Sequence, residues 1–317
     1  MAKNTNSIGF FLAISLIGML VSHSNQETLP CALKEYSTGL VCVCNSKYCD
    51  YLDDPTPSEE YVFAVVSSSK SGLRFATTHG QFNLYKKYYI FDYDQLIARS
   101  MEAPAAESIE IEVDREQRWQ KTQGFIGSIS DSIENILKMF PRTLRKHIYQ
   151  SFFTQHGINV DFIRVLGLGV SEKYLEDSDP IFGSWERGEK FAQTLLKHLN
   201  TDSNKTKPIN CNILLDYEGG DAPMIANTTN HLEVYKQPLF YTMGHFTKFI
   251  AGGSVRIAAE NKNDNVDVVA FLRADESVAV IILNRNPVSV DVGIQDTYRG
   301  AVLFKIPPHS IHTVLYI

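Results

Sequence analysis

The chain has no excess of basic residues, no long apolar run beyond its first two dozen positions, and almost no cysteine outside one short cluster. Lys and Arg number 30 against 36 Asp and Glu, a formal net charge of −6. A protein of that sign carries no electrostatic footprint for nucleic acid, so no nucleic-acid partner is expected. A mild acidic excess suits an acidic lumen, where partial neutralisation of carboxylates lowers self-repulsion. Without a later stretch of about 20 apolar residues, nothing past the N-terminus reads as a bilayer span. Hydrophobic residues at 44% are ample for a packed core and exclude a disordered chain.

The N-terminus carries Lys3, an uncharged apolar run from Ile8 to Val21, and small residues around Ser22-His23-Ser24. That is the layout of a secretory signal, so residues 1–24 are expected to be removed and the mature chain to begin near Asn25. Cys31, Cys42, Cys44 and Cys49 then crowd into nineteen residues. In an oxidising compartment they read as two disulfides. Of the three possible pairings, Cys31–Cys42 with Cys44–Cys49 closes two small separate loops. A zinc knuckle is the competing reading, but no histidine neighbours these cysteines along the sequence, and no metal or cofactor is expected. Cys211 is left over. Sequons at Asn204 and Asn227 fit passage through the secretory pathway.

From Tyr61 to Val113 the pattern is strand-like: Tyr61–Val66, Leu73–Thr77, Tyr85–Phe91 and Ile109–Val113, punctuated by Ser, Gly and Asp clusters. Between Gln123 and Asn200 the period changes. Ser130-Asp131-Ser132 precedes Ile133, Ile136, Leu137 and Phe140, a helical stripe with an N-cap that ends at Pro141. Leu144–Phe153 gives a second helix, Val160–Val165 a compact buried strand, and Trp185–Leu199 a third helix. After Pro238 strands resume at Ser254–Ala259, Val266–Leu272, Val278–Asn284, Val288–Val292, Ala301–Ile306 and Thr313–Ile317. Strands at both ends with α/β material between them imply a β-sandwich built from both termini, the middle being an insertion.

Several strings now match a known family. Val41-Cys42-Val43-Cys44-Asn45 with Tyr48-Cys49-Asp50 is similar to the start of mature glucosylceramidases, the acid β-glucosidases of glycoside hydrolase family 30. Gly124-Phe125-Ile126-Gly127-Ser128-Ile129-Ser130-Asp131 resembles the segment that opens that family's barrel. Gly183-Ser184-Trp185-Glu186-Arg187-Gly188 is closer still, as is Tyr235-Lys236-Gln237-Pro238-Leu239-Phe240-Tyr241 followed by Gly244-His245-Phe246-Thr247-Lys248-Phe249. The resemblance implies a partial (β/α)8 barrel flanked by a β-sandwich. It divides the chain into signal (1–24), disulfide loop and sandwich strands (25–122), a shortened barrel segment (123–244), and closing sandwich strands (245–317). It also implies a retaining β-glucosidase acting on glucosylceramide, with a saposin-type activator and a lipid surface as partners, in the lysosome or secreted.

Retaining hydrolysis needs two carboxyl groups about 5–5.5 Å apart. The family takes them from an Asn-Glu-Pro and a Glu-Ala-Cys segment, and this sequence contains no Asn-Glu dipeptide and no Glu-Ala-Cys. The nucleophile position falls near Gly167–Gly169, and only a shifted register brings Glu172 to it. Gln123 to Gly244 offers 122 residues, against a minimum of about 200 for a full barrel. The missing block lies between Val165 and Tyr174. Among sugar contacts implied by the resemblance, Asp131 matches an aspartate that accepts from glucose hydroxyls, although it can equally begin a helix. Asn212 is retained, while Asn210 and Cys211 replace an Asp and a pocket Trp. Trp185 reads as helix core rather than a sugar platform. Both catalytic carboxylates are therefore expected to be absent. The chain is then a non-catalytic binding or regulatory protein, or an incomplete product of an active enzyme.

Overall fold

The computed structural model describes residues 29–52, 54–82, 88–92, 97–101, 108–129, 131–163, 181–201, 209–212, 214–215, 222–227, 229 and 231–317. The expected signal segment, Glu172 and Asn204 lie outside them. A hairpin of β1 (Leu33–Tyr36) and β2 (Gly39–Asn45) comes first, followed by β3 (Val62–Ser69) and β4 (Ala76–Gln81). Then come the hairpin β5 (Tyr88–Asp92) and β6 (Ile97–Met101) and the long β7 (Ile109–Lys121). The middle holds β8 (Phe125–Ser128), α1 (Asp131–Met139), α2 (Arg142–Phe153), β9 (Asp161–Ile163), α3 (Trp185–Asn200) and β10 (Ile209–Asn212). After it run β11 (Leu214–Leu215), β12 (Met224–Ala226), β13 (Glu233–Lys236) and α4 (Pro238–Thr247). Six strands close the chain: β14 (Val255–Glu260), β15 (Val266–Leu272), β16 (Val278–Asn284), β17 (Val290–Asp296), β18 (Gly300–Ile306) and β19 (Ser310–Tyr316).

The two ends of the chain do meet. One nine-stranded sheet runs β18-β17-β7-β14-β15-β16-β19-β3-β4, with β3 antiparallel to β19 and β7 between β14 and β17. Side chains alternate across a strand, so each strand feeds two cores. Val278, Val280 and Ile282 of β16 face the sandwich interior with Val65, Ile111, Val268, Ile294, Phe304 and Val314. Ala279, Ile281 and Leu283 of the same strand face the helices, packing with Leu195, Leu196, Phe240 and Phe246. Burial on both faces is why Val278–Leu283 reads as an unbroken apolar run rather than an alternating one.

The middle segment is parallel. β8 lies between β9 and β10, with α1 and α2 as the crossover from β8 to β9. First strand in the centre, second on one side and last on the other is the local order of a closed (β/α)8 barrel. α3 is capped by Ser184, whose Oγ accepts from the Arg187 amide. Its Trp185 is only 3% exposed, as a core residue should be.

Two sequence expectations need correction. Pro238–Thr247, where the sequence pattern predicts no element before the strand at Ser254, is the helix α4. Every residue in it is buried, so it has no polar face and no amphipathic stripe to betray its period. The strand expected at Leu73–Thr77 begins only at Ala76, because Phe75 takes a left-handed φ of 50° and turns the chain there. The two disulfides, Cys31–Cys42 and Cys44–Cys49, pair as the spacing suggested. The segment that carries them is not a loose loop, because β2 pairs with β13 in a second sheet, β1-β2-β13-β12-β11. Gly39 of that hairpin packs so closely on Gly183 that a Cβ would lie 2.0 Å from the Gly183 oxygen, seating the hairpin against the start of α3.

Candidate functional site

Parallel pairing puts the C-terminal ends of the three barrel strands side by side. Ser128 of β8 lies opposite Asn212 of β10 on one flank and Ile163 of β9 on the other. Asp131 opens α1 just beyond Ser128. The backbone therefore brings both candidate sugar-binding residues, Asp131 and Asn212, to one strand-end rim. Barrel architectures place ligand chemistry at that rim, because the loops following the strands converge there. A carboxylate and a carboxamide offer complementary partners to sugar hydroxyls, the first accepting only and the second both donating and accepting. Their side-chain positions, and those of Asn210 and Cys211, lie outside what is described. So does Glu172.

Asn227 follows β12 and is half-buried. Its Nδ2 donates to the Tyr235 hydroxyl at 3.0 Å, and that hydroxyl donates to Glu233 Oε2 at 3.0 Å. Burial pushes the Tyr235 phenol well above its ordinary range, so it stays a proton donor.

A buried polar joint ties the segment after β2 to β13 and α4, and the sequence offered no separate sign of it. Lys236 Nζ of β13 lies 2.9 Å from Asp50 Oδ1, both side chains being at most 2% exposed. The same ammonium donates to the Asp50 carbonyl at 2.9 Å, and the Tyr241 hydroxyl of α4 donates to Asp50 Oδ2 at 2.7 Å. Desolvation lowers the Lys236 pKa and the Asp50 charge opposes that shift. Arg74, between β3 and β4, donates to the Ser69 carbonyl at 2.7 Å and lies over the rings of Trp185 and Tyr241. Burial brings its pKa down to about 10. Lys236 and Tyr241 stand within one of the strings that carried the family resemblance, and Asp50 closes another. Their pairing explains the physical need for those strings.

The fold also changes the standing of the cysteine cluster. No histidine is near it in sequence, yet α2 brings His147 against Cys44 and Cys49.

Comparison with known proteins agrees with this architecture. Residues 166–250 match the glycosyl hydrolase family 30 TIM-barrel domain, and residues 253–314 match the family 30 beta sandwich domain. The chain is 35% identical to the lysosomal acid glucosylceramidase of Mus musculus over 156 residues, 46% of this chain and 30% of that protein. It thus spans under a third of this relative's length. Two solved structures share the fold at 10% identity and a TM-score of 0.57, SrfJ from Salmonella typhimurium and an endo-beta1,6-glucanase. Each covers 80% of this chain and 99% of the other. With a partial barrel, a β-sandwich built from both termini, and glucosylceramidase-like strings across both, the chain is a glucosylceramidase-like protein similar to glycosyl hydrolase family 30 over residues 166–250 and 253–314.

Proposed function

We propose that this chain is a glucosylceramidase-type protein of glycosphingolipid metabolism that keeps part of the sugar-facing rim and has lost hydrolysis. The observation that carries the proposal is the strand order β10-β8-β9, which keeps the first, second and last strands of a barrel together and with them Asp131 and Asn212. Hydrolysis by this family needs two carboxylates on further strand ends, and the sequence has neither an Asn-Glu nor a Glu-Ala-Cys segment to supply them. Two disulfides and the lysosomal relative support a secretory or lysosomal setting; a lipid surface and a saposin-type activator as partners are proposed from the family resemblance alone. Glycosylation at Asn204 and Asn227 belongs to the same setting.

The test is turnover of a fluorogenic β-glucoside by the purified protein at acidic pH. No release above an enzyme-free blank is expected. In parallel, a short-chain glucosylceramide should raise the melting temperature of the wild type and not of Asp131→Ala. Turnover abolished by Glu172→Gln would put the nucleophile at Glu172 and overturn the loss of hydrolysis. A ligand shift unchanged in Asp131→Ala would remove the sugar-facing rim.

A further inference from the structure

Away from the strand-end rim, the N-terminal hairpin and α2 bring together three soft ligands. Cys44 Sγ, Cys49 Sγ and a ring nitrogen of His147 all lie within 4.8 Å of one another. Both cysteines are buried while His147 is half-buried. His147 Nδ1 lies 2.9 Å from the Asn45 carbonyl. A carbonyl only accepts, so Nδ1 carries a proton in this bond, and in the neutral ring the lone pair belongs to Nε2. A hydrogen bond of this kind fixes the tautomer and orientation of metal-bound imidazoles. One turn along α2, Ser151 donates its hydroxyl to the His147 carbonyl at 2.8 Å, and its oxygen lies 3.7 Å from Cys49 Sγ.

In the oxidised protein Cys44 and Cys49 are joined, and a disulfide sulfur carries no thiolate charge to give a metal. We propose that Cys44, Cys49 and His147 form a redox-gated zinc site, closed as the disulfide and open when a dithiol reduces it. The dithiol passes two electrons to the Cys44–Cys49 bond, closes its own disulfide and leaves two protein thiols. Zn2+ then displaces both thiol protons to solvent and takes the two thiolates and His147 as ligands. Tetrahedral zinc with sulfur at about 2.3 Å and nitrogen at about 2.0 Å sets its ligand atoms roughly 3.5–3.8 Å apart. The present separations reach that spacing once the sulfurs part. Four residues between the two cysteines is also a spacing used by zinc-binding loops. The fourth position is left to solvent on the histidine side.

The experiment uses the purified protein, oxidised or reduced with a dithiol, incubated with Zn2+ alone and freed of unbound metal by gel filtration. Co2+ serves as a second probe, because tetrahedral thiolate ligation gives visible absorption. One retained Zn2+ per reduced chain is expected, none in the oxidised form, and at least a tenfold weaker affinity in His147→Gln. Cys31→Ser/Cys42→Ser and Cys211→Ser should retain the metal, which assigns it to the remaining pair. An unchanged thermal transition of oxidised His147→Gln separates loss of a ligand from loss of fold. Equal retention in His147→Gln, loss of metal in Cys31→Ser/Cys42→Ser, or a reduced chain that unfolds and is not restored by Zn2+ would each overturn the proposal.

Discussion

The nine-stranded sheet and the three-stranded parallel sheet are built from the same chain under different degrees of closure. In the first, β15, β16, β19 and β3 pair along their whole lengths, and both faces are covered, one by the sandwich interior and one by α3 and α4. In the second, β8 is paired on both sides, but β9 and β10 are short edge strands, and no strand among the described residues pairs their outer edges. A closed barrel has no such edges, and edge strands expose backbone donors and acceptors that interior strands bury. The difference teaches that two regions of one family-like chain can differ in how completely their backbone is paired. The nine-stranded sheet is packed on both faces, whereas the three-stranded sheet carries two short edge strands among the described residues.

The Asp50–Lys236–Tyr241 joint ties the segment after β2 to β13 and α4, and breaking it should have the largest effect. Lys236→Ala leaves the Asp50 carboxylate buried beside a single hydroxyl donor, and removing one partner of a buried pair costs about 3–5 kcal/mol. The loss should appear as a lower denaturation midpoint. Replacing both charges, Lys236→Met with Asp50→Leu, should recover most of it, since two apolar groups leave no unpaired charge. A loss under about 1 kcal/mol in Lys236→Ala, a magnitude typical of exposed pairs, would mean that water reaches the joint.

Amide exchange compares the two regions directly. Amides of β16 and β19 should exchange only on global unfolding, while those of β9 and β10 should exchange through local opening, on the order of 100-fold faster. Equal protection in both sheets would show that the parallel strands are closed by packing outside the described residues, and the contrast drawn above would fail.

How much of this was legible beforehand follows the physics of each element. Val266–Leu272 and Val278–Asn284 are strands as read, because β-branched runs between turn residues have few alternatives. The sequence pattern predicts a strand only to Val66, yet β3 continues through Ser67, Ser68 and Ser69, all fully buried. Serines in a strand look like a turn unless their partners are known. Ser67 bonds His312 and Ser68 bonds His245, both far away in sequence. α4 was illegible for the opposite reason, being buried all round. That Asp131 and Asn212 belong to one rim came from resemblance alone, since no spacing rule links residues 81 positions apart. His147 beside Cys44 and Cys49 likewise depends on α2 docking against β2.

The smallest predicted effect concerns those two histidines and separates the sandwich interior from its contact with the helices. His312 lies on β19 between Ser67 and Ser310, with both ring nitrogens at 2.8 Å from a hydroxyl. His245 lies on α4 between Thr313 and Ser68, with Phe75 stacked on its ring. Burial depresses both, His312 to about 3, and His245 is lowered further by the neighbouring His312. An unfolded histidine titrates near 6.5. Above that pH both states are neutral and stability does not respond to these groups. As pH falls below about 6.5 the unfolded chain binds protons that the folded chain refuses, so stability falls, by about 1.4 kcal/mol per pH unit for each histidine. For His312 the decline should continue until pH approaches about 3, where the folded imidazole also protonates. Between pH 7 and pH 5 one histidine then costs about 2 kcal/mol. Denaturant unfolding of wild type and His312→Gln at pH 7, 6 and 5 isolates the contribution, since carboxylates common to both cancel in the difference. The variant starts less stable at pH 7, because two buried hydroxyls lose a partner, and the gap should narrow by about 2 kcal/mol at pH 5. A gap that stays constant with pH would mean that His312 is hydrated, and that the sandwich interior is less closed than the sheet on either side of it requires.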